Sequence, residues 1–278
     1  MILLADSGST KAHWCFVENG IIKKEIITQG INPFYQTPEE IEQEISKIHQ
    51  VESGSDPQEI FFYGAGCLPE TAEKIKKAIY HFFPARIEVN SDLLAACRAL
   101  SSNQGGIVGI LGTGSNSCLY DGRNITGHVS PLGYILGDEG SGAALGKQLV
   151  ADMLKNRFSP LLKEKFFARF ELTPAIIMER VYRSTFPNRF LAGLSLFINE
   201  NRVEFPELQP IAEQSFSAFF ERNILQYGNT GLPVHFSGSI AYHYKDILNK
   251  ITTKYDRQLG KVEMYPMNSL VKYHSGCY

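Results

Sequence analysis

The chain has 278 residues, enough for one large domain or two ordinary ones. Its formal net charge is −2 and it has no run of lysine and arginine, which disfavours a nucleic-acid partner. Its five cysteines are scattered without a CxxC pair, which argues against a disulfide framework and a structural zinc site. The apolar run before Asp6 is too short for a signal sequence or a membrane span, so we expect a cytoplasmic protein with no membrane partner.

The first hundred residues alternate short apolar strands with helices. Strands are predicted over residues 2–5, 13–17, 60–63 and 86–89. Helices are predicted after the capping box that starts at Thr37, and over residues 69–83 and 93–100. This order predicts a wound α/β sheet, in which ligands bind at the carboxyl ends of the strands. Asp6, Gly64 and Asp92 all fall at such ends.

The opening pattern of the chain returns after Gly105 and Gly106. An apolar strand at 107–111, a small-residue loop and a second strand ending at Tyr120 repeat the layout of residues 2–20. In the second copy, Leu111 and Gly112 stand where the first has Asp6. We therefore expect one loop to carry a carboxylate for a cation and the other to offer amides and hydroxyls.

This duplication predicts two similar domains, over residues 1–104 and 105–265, with a C-terminal helix at 266–278 joined to the first. Helical periodicity over 141–226 predicts a helical insertion in the second domain. A strand at 233–236 then leads into a third small-residue loop, Ser237-Gly238-Ser239-Ile240-Ala241.

Two acidic residues lie between glycines at the start of a helix, in the segment Leu136-Gly137-Asp138-Glu139-Gly140-Ser141-Gly142. Acid beside free backbone N–H groups is the chemistry of a kinase or ATPase site. Simpler interpretations stay open, since Asp138 can be a turn residue and Asp92 a helix cap. The helix dipole is expected to keep Asp92 ionised.

Three loops in this order, residues 6–10, 112–115 and 237–241, resemble those of the sugar kinase/actin/Hsp70 superfamily. Within it the chain resembles the BadF/BadG/BcrA/BcrD-type ATPase family, most closely its N-acetylglucosamine kinase-like branch. That likeness also rests on Ser91-Asp92-Leu93-Leu94-Ala95-Ala96 and on Leu136–Ser141. It implies an α/β fold of two RNase H-like (actin-like ATPase) domains with the active site in the cleft between them.

The resemblance implies an ATP-dependent kinase that phosphorylates a hydroxyl of an amino sugar, N-acetylglucosamine first, with ATP and Mg²⁺ as cofactors. Asp92 would be the catalytic base, and Asp6 would hold Mg²⁺ through water. The residues implied to bind the nucleotide, with Asp6, are Gly8, Ser9, Thr10, Lys11, Gly112, Thr113, Gly114, Ser115, Gly238, Ser239 and Ala241. Those implied to bind the sugar, with Asp92, are Asn32, Thr113, Asn116 and Asp138. Asn32 could equally be a turn former, and Lys11 a solvated lysine.

Two departures from the family pattern leave details open. The first loop is Asp-Ser-Gly-Ser-Thr where many relatives have Asp-Gly-Gly-Gly-Thr, so amide approach to phosphate can differ there. Leu132 stands where some N-acetylglucosamine kinases carry tryptophan, so N-acetylmuramic acid and glucosamine stay open as substrates. Two further functions also stay open, an ATPase activator, which the lack of paired cysteines disfavours, and a sugar sensor. A homodimer is the candidate assembly.

Overall fold

The computed structural model describes residues 1–8, 10–51 and 56–276, so the predicted site residue Ser9 lies outside the described residues. The strands are β1 (Ile2–Ser7), β2 (Lys11–Glu18), β3 (Ile21–Gln29), β4 (Glu59–Gly64), β5 (Arg86–Ser91), β6 (Gly106–Leu111), β7 (Ser115–Tyr120), β8 (Ile125–Val129), β9 (Val234–Ser237) and β10 (Leu259–Glu263). The helices are α1 (Pro38–Val51), α2 (Pro69–Phe82), α3 (Asp92–Leu100), α4 (Gly133–Leu136), α5 (Gly142–Leu154), α6 (Pro160–Phe170), α7 (Pro174–Tyr182), α8 (Pro187–Leu194), α9 (Leu196–Asn201), α10 (Gln209–Arg222), α11 (Ser239–His243), α12 (Lys245–Lys254) and α13 (Met267–His274), with 3₁₀ turns at Pro206–Leu208 and Ile224–Tyr227.

The chain divides into two compact units. The first comprises Met1–Gln104, Asp121–Ile125 and Tyr265–Tyr278. The second comprises Gly105–Tyr120 and Thr126–Met264. Helix α13 therefore belongs to the first unit, although it is the last element of the chain.

The first unit is built on a sheet of order β3-β2-β1-β4-β5. The short loop after β1 makes β1 and β2 an antiparallel hairpin, whereas α1 and α2 are the crossovers that let β1, β4 and β5 run parallel. Successive side chains of a strand point to opposite faces. Leu3 and Ala5 pack with α1 and α2, while Leu4 packs with α13. Asp6, two residues on from Leu4, lies on the face covered by α13.

The second unit has the same topology. Its sheet has the order β10-β9-β6-β7-β8, which matches the first sheet when β6 is aligned with β1. The hairpin β6–β7 is antiparallel, and β6, β9 and β10 are parallel. The predicted α/β fold with two similar sheets is confirmed.

Helices α5 to α10 form the body of the second unit, as the periodicity of residues 141–226 predicts. Their aromatic side chains fill the core, because Phe166, Phe216, Phe219 and Phe220 are completely buried. Each such ring removes a large apolar area from water, which is the main favourable contribution to folding. These aromatic residues therefore have a packing role, as expected.

Strands β3 and β8 were not predicted. Each is the outermost strand of its sheet, next to the hairpin. Among the residues of β3, Thr28 is the buried one, and the rest are partly or fully exposed. An edge strand is hydrogen-bonded to a single neighbouring strand and buries little of its surface. Its sequence therefore needs little alternation of apolar and polar residues and is hard to identify as a strand.

Helix α1 begins at the predicted capping box. The backbone N–H of Thr37 donates to Glu40 Oε2 at 2.8 Å, and the N–H of Glu40 donates to Thr37 Oγ1 at 3.3 Å. None of the helices in the described part of the chain combines the length and the apolar character needed to cross a bilayer.

Candidate functional site

Asp6 and Asp92 are two carboxylates of the first unit that lie close enough for the charge of one to act on the other. Asp6 lies near the end of β1, and its neighbour across the sheet is Tyr63 of β4, which pairs in turn with Asn90. Asp92 is the first residue of α3, directly after β5. Burial, and then the charge of Asp92, raise the pKa of Asp6 to about 7. When two carboxylates lie close together and are largely shielded from water, a bound cation stabilises the state in which both are ionised.

Asp92 is not the cap of its helix. The hydroxyl of Ser91 accepts a hydrogen bond from the backbone N–H of Leu94 at 3.2 Å, so Ser91 caps α3. Burial raises the pKa of Asp92 to about 6, although the N–H groups of Leu93 and Asp92 itself lower it. Burial therefore has a larger effect on this pKa than the backbone N–H groups at the start of the helix. A pKa near neutrality still leaves the carboxylate ionised at pH 7 and suits a general base.

The loop after Asp6 is held by its own backbone and by a buried serine. The N–H of Gly8 donates to the carbonyl of Lys11 at 3.1 Å. Ser7 is fully buried, and its hydroxyl accepts from the N–H of Ile31 at 2.8 Å while donating to the carbonyl of Ile31 at 3.0 Å. Thr10 is exposed, and its carbonyl accepts from the N–H of Gly30 at 3.1 Å.

Lys11, predicted to reach a phosphate, has a partner within the first unit. Its ammonium donates to the hydroxyl of Tyr265 at 3.2 Å and lies 4.6 Å from the centre of that ring. The exposed lysine is therefore held against an aromatic side chain by a cation–π contact.

Asn32 has the geometry of a turn former and also touches the loop after β4. Its Oδ1 accepts from the N–H of Phe34 at 3.0 Å, which is an Asx turn. A Cβ on Gly66 would lie 2.5 Å from that same oxygen, so glycine is required for the close approach. The side-chain amide can still donate to a ligand.

In the second unit, the loop Gly112–Ser115 is bound to the first turn of α5. The N–H groups of Gly142 and Ala143 donate to the carbonyls of Gly112 at 2.8 Å and Thr113 at 3.1 Å. The hydroxyl of Ser141 caps the same helix. A Cβ on Gly112 would meet no atom within 4 Å, so this side of the loop is open.

Asp138 is brought onto this loop. It is buried, and its carboxylate accepts a hydrogen bond from the N–H of Ser115. Burial raises its pKa to about 6, opposed by the Ser115 bond and aided by the charge of Glu139. A Cβ on Gly114 would lie 2.9 Å from Asp138 Oδ2. The structure thus brings the predicted phosphate-binding loop and the predicted sugar-binding residue Asp138 into direct contact.

The third loop approaches the second loop through its glycine. Gly238 has φ of 113°, and a Cβ there would lie 2.3 Å from the carbonyl oxygen of Leu111. Ser239 begins α11, whereas Ala241 is completely buried in the hydrophobic core. Asn116 Oδ1 accepts from the N–H of Ser117 at 2.9 Å and lies 2.9 Å from His128 Nε2.

The sequence analysis missed Ser7 and Cys67 as parts of this site. Burial, and then the charge of Asp92, raise the pKa of Cys67 to about 12, so this thiol lies within range of the Asp92 charge. A cavity of about 310 Å³ is lined by Cys67, Asn90 and Ser91 among others. The signal for Cys67 was its position after Gly64, at the carboxyl end of β4.

Comparison with protein-family models finds no match, and comparison with curated proteins finds none either. Solved structures do match. A Porphyromonas gingivalis protein named "Putative N-acetylglucosamine Kinase" has 44% identity and a TM-score of 0.93, over 99% of both chains. A Chromobacterium violaceum protein of the same name has 18% identity and a TM-score of 0.75, over 98% of both chains.

A ROK family glucokinase from Streptomyces griseus, solved with glucose and AMPPNP, has 14% identity and a TM-score of 0.56, over 98% of this chain and 97% of that chain. At such low identity, this structure and the Chromobacterium protein show the shared two-domain actin-like fold alone. The Porphyromonas match goes further, because 44% identity extends over nearly the whole of both sequences. The chain belongs to the N-acetylglucosamine kinase family that the Porphyromonas gingivalis protein represents.

Proposed function

We propose that this protein is an ATP-dependent kinase that phosphorylates a hydroxyl of an amino sugar, with N-acetylglucosamine as the first candidate. The observation that carries the proposal is the 44% identity, over 99% of both chains, to the protein named as an N-acetylglucosamine kinase. The Asp6–Asp92 pair supplies the chemistry that such a reaction requires. We include membership of the BadF/BadG/BcrA/BcrD-type group in the proposal, on the strength of the sequence motifs.

The donor set of the first unit fits Mg²⁺. Hard oxygen donors from one or two carboxylates, completed by water and phosphate, are what this ion selects. Asp6 has a raised pKa because it is buried and because the charge of Asp92 acts on it. A bound divalent cation would offset both the burial of the charge and the repulsion between the two carboxylates. Asp6 would hold the ion through water. When bound, ATP·Mg²⁺ supplies the phosphoryl group and neutralises charge on its oxygens.

Asp92 is assigned as the acceptor of the sugar hydroxyl proton. Transfer to an alcohol requires that the hydroxyl be held in place and that its proton have a destination. Ser91 caps α3, so the carboxylate of Asp92 is not consumed as a cap. Its pKa of about 6 is close to the working pH, which favours proton acceptance late in a loose transition state.

The residues of the second unit are assigned to binding. Gly112, Thr113, Gly114 and Ser115 would bind phosphate oxygens through the open side of their loop. Asp138 would accept a hydrogen bond from a sugar hydroxyl with the carboxylate oxygen that Ser115 leaves available. Gly238, Ser239 and Ala241 would support the nucleoside, and Gly8 and Thr10 of the first unit the phosphates.

The sugar itself is to be decided by experiment. A coupled assay of ADP release should be run with N-acetylglucosamine, glucosamine, N-acetylmuramic acid and glucose, with and without Mg²⁺. We expect Mg²⁺-dependent turnover that is fastest with N-acetylglucosamine. The Asp92→Asn protein, purified in the same way, controls for contaminating kinases.

Two results would contradict the proposal. Equal ADP release with and without any sugar would indicate an ATPase rather than a kinase. Faster turnover of glucose than of every amino sugar would place the chain outside amino-sugar phosphorylation.

A further inference from the structure

Three potential metal ligands converge between β2 and β3, in the first unit. His13 and Cys15 are two residues apart on β2, so their side chains lie on the same face of the sheet. Glu25 of β3 is the residue directly opposite Cys15 in the antiparallel register. The sequence analysis found no ligand spacing here, because one of the three comes from a neighbouring strand.

Two of the three donor separations match those of tetrahedral coordination. His13 Nε2 lies 3.2 Å from Glu25 Oε2 and 3.4 Å from Cys15 Sγ, and all three donor atoms lie within 4.8 Å of one another. With Zn–N, Zn–O and Zn–S bonds of about 2.0 to 2.3 Å, tetrahedral geometry puts neighbouring ligand atoms about 3.3 to 3.6 Å apart. Side chains need only small adjustments to surround one ion.

Without an ion, His13 Nε2 has to serve two partners at once. His13 Nε2 faces both Glu25 Oε2 and Cys15 Sγ, yet it carries at most one proton. If Nε2 is protonated it donates to the carboxylate and cannot accept the thiol proton. If it is unprotonated, its lone pair accepts from the thiol but faces the lone pairs of the carboxylate. A cation replaces this conflict with three attractive contacts.

The charges at the site balance those of a divalent ion. Cys15 is fully buried, and burial, followed by the charge of Glu25, raises the pKa of its thiol to about 12, so its thiolate requires a cation beside it. A thiolate and a carboxylate together balance the charge of one divalent cation. The Glu25 side chain is 54% exposed, which gives an ion a path from solvent. Within the described ranges, the salt bridge of Glu25 is with His13, and none is with lysine or arginine.

We propose that His13, Cys15 and Glu25 form a Zn²⁺ site that joins β3 to β2, with water as the fourth ligand. Cysteine sulfur, histidine nitrogen and carboxylate oxygen are all ligands that zinc accepts. Binding breaks the S–H bond of Cys15, forms the Zn–S bond and releases the proton to the solvent. This site is independent of the proposed sugar kinase reaction.

The test is titration of the metal-free full chain with Zn²⁺, followed by calorimetry, and with Co²⁺, followed by absorbance. We expect one Zn²⁺ per chain, a thiolate-to-cobalt charge-transfer band, and a rise in melting temperature with Zn²⁺. Glu25→Gln and His13→Gln should weaken binding by more than the roughly 10- to 100-fold that loss of an outer-shell partner costs. Cys15→Ala should remove the cobalt band.

Matched controls are available in the chain. Glu18 on β2 has the same exposure as Glu25, 54%, so Glu18→Gln should bind zinc as the parent does. Cys67 is also buried, and Cys67→Ala should keep the cobalt band. Asp6 is opposite His13 in the sheet, so Asp6→Asn tests whether the carboxylate pair is the zinc site instead.

The proposal is overturned if Glu25→Gln and Glu18→Gln bind zinc equally, or if Asp6→Asn loses it. It is also overturned if no thiolate band forms with Co²⁺, or if the band survives Cys15→Ala. Because Glu25→Gln changes an exposed side chain, its result does not depend on the stability of the buried cysteine variant.

Discussion

The β1–β2 connection of the first unit and the β6–β7 connection of the second lie at equivalent places in two sheets of the same topology, yet their chemistry differs. Beside the first lie two carboxylates, Asp6 and Asp92. In the second hairpin, β6 ends at Leu111, whose side chain is apolar and buried. There the loop carbonyls are bound to α5, and the open side of Gly112 leaves room for a ligand.

The difference extends to the helices that follow the last strand of each sheet. Helix α3 begins with Asp92 after β5, whereas α13 begins with Met267 after β10. The repeated topology thus creates equivalent positions, and a few side chains decide what each position does. We propose that one copy serves a metal ion and proton transfer and the other holds phosphates, and the following experiments test this division.

The largest effect is expected from Asp92→Asn. The amide keeps the shape of the side chain but cannot accept the sugar proton, so kcat should fall by about 10²- to 10⁴-fold. The melting temperature should not fall, because Ser91 rather than Asp92 caps α3. Steady-state kinetics and a thermal melt of the same preparation measure both.

Asp56→Asn, at an exposed aspartate, is the control for Asp92→Asn and should keep normal turnover. Near-parental kcat in a folded Asp92→Asn protein would remove the catalytic assignment. The base would then be sought at Asp138.

Asp6→Asn tests whether the first loop alone holds the metal. Loss of the metal's charge stabilisation is worth several kcal/mol, so turnover at limiting Mg²⁺ should fall by about 100-fold. Excess Mg²⁺ should restore part of it. Unchanged turnover at limiting Mg²⁺ would show that Asp6 does not hold the ion.

Gly238→Ala and Gly112→Ala separate structural from ligand-binding glycines. A Cβ at position 238 meets Leu111 O at 2.3 Å with φ of 113°, so the free energy of unfolding should fall by about 1 to 3 kcal/mol. A Cβ at 112 meets nothing within 4 Å, so stability should be kept while the KM for ATP rises. Denaturant unfolding and nucleotide kinetics measure the two effects. If Gly112→Ala changed neither quantity, the open side of that loop would not be a phosphate site.

The smallest effect is the pH dependence of stability that Asp6 confers without metal. The pKa of Asp6 is about 7 in the folded protein against 3.8 as the ordinary value, so the folded state binds this proton more tightly. The free energy of unfolding should therefore decrease as pH rises from about 4 to about 7. Asp6→Asn removes this loss, so near pH 7 its free energy of unfolding should exceed that of the parent by on the order of 1 to 2 kcal/mol. This is less than the full pKa shift of Asp6 implies, because the side chain is partly exposed.

Urea unfolding of the parent and Asp6→Asn in a chelator, at about pH 5 and about pH 7.5, measures this difference. If the extra stability of Asp6→Asn over the parent stayed constant or shrank with rising pH, ionised Asp6 would not destabilise the folded protein. Added Mg²⁺ should close the gap at the higher pH, because a bound cation stabilises the charged carboxylate of the parent.

The sequence by itself determined the strands with apolar runs, the helices with caps and the order of the glycine loops. Such signals are local, since a capping box at Thr37 or an apolar strand before Asp6 needs no distant partner. The repeat of residues 2–20 likewise predicted the second sheet. The sequence did not predict the edge strands β3 and β8, because little of their surface is buried.

Only the tertiary structure decided which side chains meet. Asp6 and Asp92 are 86 residues apart in the sequence, and the parallel order β1-β4-β5 is what brings them together. Burial raises the pKa of both carboxyl groups, an effect of the tertiary structure that the local argument from the helix dipole did not include. The His13–Cys15–Glu25 cluster has the same origin, because the register between β2 and β3 is a property of the sheet and not of either strand alone.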